Sequence, residues 1–250
     1  MKIGNVFITG ANRGIGYEFV RQLILREDPP KIIFATYRSG STVLDLKALQ
    51  DNAVRTKLIL IKMDVNAPEE IEVAKKIVEA NTGDEGLHLL INNAGIFEIL
   101  PLEHMTVENL EKHFKTNTVG PMMLSKVMQP FLEKAVLKND GYKVVLLSIS
   151  SLLGSITNTG NNFFDLNVPS YKISKAALNM AMKILASTLK DKGILVAMIN
   201  PGWVKTDMGN RDLAEITPEE SISAMLKTLE QINRDHHGAF IDRFGKTIPF

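Results

Sequence analysis

A tyrosine and a lysine in the second half of the chain, Tyr171 and Lys175, have types and a spacing that suit acid–base chemistry. Residues four apart in a helix lie on the same face, one turn from each other. A free phenol has a pKa of about 10, but a neighbouring ammonium favours the phenolate and lowers that pKa. The pair could therefore donate a proton to a substrate oxygen. Taken alone, it could equally belong to an ordinary amphipathic helix with a surface Tyr and Lys.

The glycine-rich stretch at residues 9–16 is a second candidate site. An apolar run precedes it and a helical pattern follows it. In this strand–turn–helix context, Gly10 permits a tight turn, while Gly14 and Gly16 let the backbone approach a pyrophosphate that faces helix N–H groups. The spacing, Gly-x-x-x-Gly-x-Gly, differs from the commonest dinucleotide fingerprint. A purely structural turn is therefore the competing interpretation.

Short apolar runs rich in branched residues alternate with helical patterns along the whole chain. This alternation is typical of a parallel sheet covered on both faces, and right-handed crossovers then predict a doubly wound Rossmann fold of about seven strands. No linker or repeat divides the 250 residues, so we predict a single domain over residues 1–250. Strands are expected near residues 5–8, 31–38, 58–65, 87–91, 142–147, 194–199 and 239–242. The longer helices are expected near residues 106–138, 171–190 and 218–233.

The composition excludes several classes of function. Hydrophobic residues make up 45% and charged residues 23%, which are ordinary values for a globular protein. The net charge is only +1, so the composition does not indicate a nucleic acid partner. The lack of cysteine excludes disulfides, thiolate nucleophiles and cysteine zinc sites, and the histidines form no metal-binding pattern. No apolar stretch approaches the ~20 residues that cross a bilayer, and the first strand leaves no room for a signal peptide. We therefore expect a cytoplasmic protein with no membrane partner and no metal.

Four motifs in the chain occur together and in a known order. Residues 9–16 match Thr-Gly-x-x-x-Gly-x-Gly, residues 92–95 match Asn-Asn-Ala-Gly, residues 171–175 match Tyr-x-x-x-Lys, and residues 201–202 match Pro-Gly. Over essentially its full length, the chain thus resembles the short-chain dehydrogenase/reductase family. The stretch at residues 201–208 is similar to the carbonyl-reductase branch of that family, which includes the C-factor and sniffer-like proteins.

The resemblance implies an NADPH-dependent reductase that converts a small-molecule carbonyl (a ketone, aldehyde or quinone) to an alcohol by hydride transfer. Tyr171 would donate the proton, and Lys175 would also hold the ribose next to the nicotinamide. Ser151 would bond the substrate oxygen. It is preferred to Ser148 and Ser150 because residues 151–154 match the family's Ser-x-x-Gly. These serines could instead form turns.

A fourth catalytic residue implied by the resemblance is Asn117. In the family, an asparagine at this place supports a water that links the lysine to solvent and replenishes the proton. The sequence Gly120-Pro121 follows it, so the polar residue could instead relax or kink the helix. Asn92 is expected to have a structural role.

Charge near the adenosine ribose indicates the cofactor. Instead of an acid that accepts from a free 2′-hydroxyl, the end of the second strand has Tyr37 and Arg38, followed by Ser39 and Ser41. With Arg13, Arg38 suits a dianionic phosphate and predicts NADP(H), although either arginine could be solvated. The predicted cofactor-binding residues are Gly10, Asn12, Arg13, Gly14, Ile15, Gly16, Arg38, Asp64, Val65, Asn93, Ala94, Gly95, Tyr171, Lys175, Pro201, Gly202, Val204 and Thr206. For Asp64, a role as a polar strand terminus is also open.

The substrate side of the site is less defined by the sequence. Residues 204–219 are rich in loop signals and are predicted to form a substrate lid. The segment from Ser151 to Tyr171 is longer than is usual in the family and contains a turn-rich insertion at residues 157–165 with two aromatic residues, Phe163 and Phe164. An apolar pocket could be lined by Phe97, Ile99, Leu153, Trp203 and Met208, which could also be ordinary core or surface residues.

Two other functions stay open at this stage. One is an NAD(P)-dependent alcohol dehydrogenase that works in the oxidative direction. The other is a dinucleotide sensor or signalling protein without turnover, which predicts loss of the catalytic residues; their presence favours an enzyme. The family often pairs through helices that correspond here to residues 106–138 and 171–190. The resemblance therefore implies a homodimer or homotetramer, with a monomer as the alternative.

Overall fold

The structure is a computed structural model, and it describes residues 3–38, 43–138, 140–160 and 166–250. Within these ranges, seven strands form one sheet in the order β3-β2-β1-β4-β5-β6-β7, and every neighbouring pair is parallel. The strands are β1 (Val6–Ile8), β2 (Ile32–Tyr37), β3 (Lys57–Lys62), β4 (Leu89–Asn92), β5 (Val144–Ile149), β6 (Ile194–Asn200) and β7 (Ala239–Asp242). This sheet confirms the predicted doubly wound Rossmann fold.

Helices cover both faces of the sheet. They are α1 (Gly14–Ile24), α2 (Leu44–Asn52), α3 (Pro68–Thr82), α4 (Val107–Phe114), α5 (Gly120–Lys138), α6 (Pro169–Thr188) and α7 (Pro218–Gln231). Short 3-10 turns lie at Leu102–His104, Leu152–Gly154 and Arg234–His236. Buried apolar residues of α1, α2 and α7 pack on one face, and those of α3, α5 and α6 pack on the other. This double covering explains why the strands are apolar on nearly every residue.

The long helical region predicted near residues 106–138 contains one turn of a different kind. Residues Lys115–Val119 form a π-helix between α4 and α5, and the N–H of Gly120 donates to the carbonyl of Lys115, five residues back. Pro121 has no N–H, so the carbonyl of Asn117 lacks its usual donor four residues on. The Gly-Pro pair thus widens the helix rather than ending it, and the widened turn carries Asn117.

The predicted strand ends differ from the observed ones by a few residues. Strand β3 ends at Lys62, before the predicted Val65, because the Asp64 carboxylate accepts from the N–H of Asn66 at 2.8 Å and closes a turn. Strand β5 begins and ends two residues later than predicted, at Val144 and Ile149, so Ser148 lies inside it.

Some sequence predictions fall on residues outside the described ranges. They concern Ser39, Ser41 and residues 161–165 of the predicted insertion, including Phe163 and Phe164. No helix among the described residues is long and apolar enough to cross a membrane.

Candidate active site and cofactor cleft

A cavity of about 700 Å³ lies beyond the carboxyl ends of the strands. The glycine turn, Arg38, Asp64, the loop after β4, Tyr171 and Lys175 all contribute to its walls. Ligands of open α/β sheets bind at this edge, where the strand order reverses; here the reversal lies between β1 and β4. Most of the predicted site residues are therefore brought to one place. All of them are described, and those outside the cavity lining are Gly16, Asn117, Ser151, Gly202 and Val204.

The glycine turn forms a cradle at the start of α1. Gly14 has φ +54°, and a Cβ there would lie 3.2 Å from the Cγ2 of Thr206. A Cβ on Gly16 would lie 2.2 Å from the carbonyl oxygen of Gly10, so the backbone could not come this close with any other residue. Arg13 precedes the helix and its side chain does not cap it. The first residues of α1, Gly14 and Ile15, line the cavity, and the N-cap side chain does not occupy the first N–H groups of the helix. This arrangement fits a pyrophosphate.

Thr9 and Asn93 join the glycine turn to the loop after β4. The hydroxyl of Thr9 accepts from the N–H groups of Asn93 and Ala94, both at 2.9 Å. In return, Asn93 Nδ2 donates to the carbonyls of Thr9 at 2.8 Å and Gly10 at 3.1 Å. Asn92 points elsewhere and donates to Ser125 and Ser148 inside the protein. The two sides of the cleft are therefore fixed to each other through Thr9 and Asn93.

Tyr171 and Lys175 lie one turn apart on α6 and are both buried. Lys175 Nζ donates to the carbonyl of Ile149 at 2.8 Å and lies 5.7 Å from the centre of the Tyr171 ring. Burial raises the pKa of Tyr171 to about 12, against a smaller opposing effect of the hydrogen bond from Ser151. Burial also lowers the pKa of Lys175 to about 8. The expected lowering of the tyrosine pKa is therefore not seen: in this structure desolvation decides its direction.

The three serines predicted as alternatives have different partners. Ser148 accepts from Asn92 Nδ2 at 3.2 Å, and Ser150 donates to Asn179 Oδ1 at 2.6 Å. The oxygen of Ser151 accepts from the N–H of Leu153 at 3.2 Å, and Ser151 lies close enough to Tyr171 to oppose the rise of its pKa. Ser151 is thus the serine that the fold places beside Tyr171.

Asn117 is buried in the π turn and binds two other elements. Its Oδ1 accepts from the N–H of Ile96 at 2.8 Å, and its Nδ2 donates to the Ile96 carbonyl and the Ser174 hydroxyl, both at 3.0 Å. Ser174 precedes Lys175 on α6. The Asn117 amide thus ties the loop after β4 to the catalytic helix, while the predicted proton relay through Asn117 stays a prediction.

Basic side chains contribute to the lining of the cavity. Arg13 and Arg38 both line it, and Arg13 lies 3.6 Å from Asp207. Asp207 also pairs with Arg211 at 2.7 Å. The cavity-lining residues that were not predicted individually from the sequence are Tyr17, Glu18, Met63, Ile96, Thr116, Ile149, Lys205, Asp207, Arg211 and Pro218. Several of them adjoin predicted residues in the chain, which is the signal that could have found them.

The predicted apolar pocket residues separate into different environments. Phe97 packs edge-on against Tyr171, with ring centres 4.9 Å apart. Met208 lines the cavity, whereas Ile99 is largely exposed. Trp203 Nε1 donates to the carbonyl of Gly209, so Trp203 is bound to the predicted lid that follows it in the chain. No cluster of three metal-ligating side chains occurs within the described ranges.

Comparisons with known proteins agree with this geometry. Residues 4–216 match the short chain dehydrogenase family. The NADPH-bound carbonyl reductase from chicken fatty liver is 34% identical with a TM-score of 0.94, and the comparison covers 100% of both chains. Carbonyl reductase Sniffer of D. melanogaster is 30% identical with a TM-score of 0.92, again over 100% of both chains. An uncharacterized oxidoreductase of Schizosaccharomyces pombe is 30% identical over 98% of this chain and 97% of its own. The chain therefore belongs to the short-chain dehydrogenase family of oxidoreductases.

Proposed function

We propose that this oxidoreductase uses NADPH to reduce a carbonyl to an alcohol. The observation that carries the proposal is one cavity whose lining includes Arg13 and Arg38 as well as Tyr171 and Lys175. The glycine cradle at α1 lines the same cavity and suits the pyrophosphate of a dinucleotide. The NADPH-bound carbonyl reductase and the Sniffer protein, both of at least 30% identity, support the same activity.

The catalytic side chains are suited to supply a proton at a carbonyl oxygen. Because burial raises the pKa of Tyr171 to about 12, the phenol carries its proton at neutral pH. Ser151, which lies beside Tyr171, would donate a second hydrogen bond to the substrate oxygen and stabilise the charge that develops there. When bound, the nicotinamide supplies the hydride that reduces the carbonyl carbon. Lys175 is mostly protonated below its pKa of about 8, so its ammonium stabilises the phenolate that remains.

The preference for NADPH rests on the side chains around the expected adenosine ribose. Arg38 follows β2 directly and is exposed at the cavity, where an acid would repel a 2′-phosphate. Arg13 adds a second guanidinium, and such groups match the oxygens of a phosphate dianion. We also propose that residues 204–219 act as the lid over the cofactor and substrate, within one domain that spans the chain.

The function is tested by NADPH oxidation against a panel of ketones, aldehydes and quinones. We expect turnover with at least one carbonyl class, and slower turnover when NADH replaces NADPH. Oxidation of the corresponding alcohols with NADP⁺ measures the opposite direction. Tight NADPH binding without turnover of any carbonyl or alcohol would contradict the enzymatic proposal and favour a sensing role.

Replacement of Arg38 by aspartate tests the cofactor preference. The change removes a phosphate partner and adds a repelling charge, so the ratio of the Kd values for NADPH and NADH should rise by about 100-fold. Fluorescence titration of both nucleotides measures this ratio. Arg234→Asp makes the same charge change on an exposed residue that precedes β7, at the amino ends of the strands and away from the cavity. This control variant should leave the ratio of the two Kd values unchanged. An equal effect of both variants would show that Arg38 does not contact the phosphate.

A further inference from the structure

His113 lies at the site although the proposed chemistry does not use it. Its side chain is fully buried on α4, and its ring is 6.4 Å from that of Tyr171 at an angle of 81°. Nδ1 is 2.8 Å from the carbonyl oxygen of Asn109. A carbonyl only accepts, so Nδ1 carries the hydrogen, and Nε2 is left as the acceptor of a neutral imidazole. The acceptor receives the N–H of Glu98 at 3.2 Å.

The bond to Glu98 belongs to a ladder along one face of the helix. Asn109, His113 and Asn117 are four residues apart and so lie on the same side. Asn109 Nδ2 donates to the Glu98 carboxylate at 2.8 Å, and Asn117 binds both polar backbone groups of Ile96. The ladder therefore holds residues 96–98 from both ends.

Phe97 is the residue between these two anchored positions. Its ring meets the Tyr171 ring edge to face, with centres 4.9 Å apart and an interplanar angle of 89°. Ile96, its neighbour, and Tyr171 both line the cavity. Edge-to-face pairs depend on geometry, so a shift of the loop would disturb the packing of Phe97 on the Tyr171 ring.

We propose that His113 is a positioning residue: it accepts a hydrogen bond from the N–H of Glu98 and thereby holds the Phe97 ring against Tyr171. In that position Phe97 packs against the aromatic or other apolar group attached to the carbonyl of the substrate. The inference rests on the proposed carbonyl reduction and adds a determinant of its substrate class. His113 acts through Phe97 and touches no reacting atom.

The first test measures the anchor directly, without turnover. Amide exchange of Glu98, followed by NMR, should become faster in His113→Leu, which has no acceptor. His113→Gln keeps an oxygen that can accept and should restore most of the protection. The amide of Ile96 is the matched control because Asn117 binds it instead, and its exchange should stay unchanged. Equal Glu98 exchange in the wild type and His113→Leu overturns the inference, whichever substrate is found.

The second test separates substrate positioning from chemistry. With an aryl methyl ketone, His113→Leu should raise KM about fivefold and leave kcat within about twofold of the wild-type value. This pattern is expected when a variant loses an interaction that binds the substrate equally well in the ground state and in the transition state. KM for a short aliphatic methyl ketone, which reaches Phe97 less, should change little. Phe97→Leu should give the same pattern, and the double variant should add nothing to either single change. Glu111→Gln, on the exposed side of α4, is the control.

The outcomes distinguish the inference from the function on which it rests. A wild-type protein that reduces neither ketone nor any other carbonyl defeats the proposed function. A wild-type protein that reduces the aryl ketone with an unchanged KM in both His113→Leu and Phe97→Leu defeats only the inference. An additive double variant also overturns it, because His113 would then act independently of Phe97. Restoration of KM by His113→Gln supports it, since a variant that merely loosened the fold would not be rescued by one acceptor atom.

Discussion

Replacement of Tyr171 by phenylalanine should lower kcat for carbonyl reduction by about 10³-fold, because a positioned general acid contributes about 10²–10⁴. The change removes one oxygen atom and leaves the ring, so the edge-to-face contact with Phe97 is kept. The oxygen of Ser151 keeps its hydrogen bond from the N–H of Leu153. NADPH oxidation at saturating substrate measures the loss, and fluorescence titration should show a Kd for NADPH within about twofold of the wild-type value.

Tyr142→Phe provides the matched control for this variant. Tyr142 stands before β5, at the opposite edge of the sheet, where its ring packs on His88. Removal of its hydroxyl should leave kcat unchanged. Full activity of Tyr171→Phe would show that another group donates the proton, whereas lost activity together with lost NADPH binding would indicate a damaged cleft rather than a missing acid.

The sequence predicted the fold and most of the cleft because both depend on local patterns. Apolar strands alternating with amphipathic helices specify the layers, and parallel strands bring their carboxyl ends to one edge. Gly16 could be predicted for a similar reason, because its close approach to the Gly10 carbonyl leaves no room for a side chain. Arg38 reached the cavity as predicted because it directly follows a strand.

Contacts between segments that are distant in the chain could not be predicted from the sequence. The direction of the Tyr171 pKa depends on how deeply α6 is buried, and no spacing along the chain contains that information. The bond from Glu98 to His113 joins a loop to a helix, and the sequence alone offered His113 only as a histidine without a metal pattern. The ion pair between Arg13 and Asp207 likewise joins residues from opposite ends of the chain.

Lys175 is the residue at which stability and the proposed activity oppose each other most clearly. Burial lowers its pKa from 10.5 to about 8, so the folded protein at neutral pH holds an ammonium in an unfavourable place. A pKa shift of this size means that burial of the charged lysine costs about 3 kcal/mol of folding free energy. Replacement of the lysine removes this cost but also loses the hydrogen bond to Ile149, which contributes about 1 kcal/mol. Lys175→Met should thus stabilise the fold at pH 7 by roughly 2 kcal/mol while it abolishes most activity.

The pH dependence of this stabilisation follows from the direction of the shift. Between pH 8 and 10.5 the unfolded chain binds more protons at Lys175 than the folded protein does, so wild-type stability rises with pH across this window. The Met variant lacks this contribution, and its advantage should shrink towards pH 10. Urea unfolding of both proteins at pH 7, 8, 9 and 10 measures the difference, and Lys126→Met, an exposed site, controls for simple loss of charge. A Met variant that is less stable at pH 7, or an advantage independent of pH, would mean that the lysine is held by favourable contacts strong enough to offset its burial.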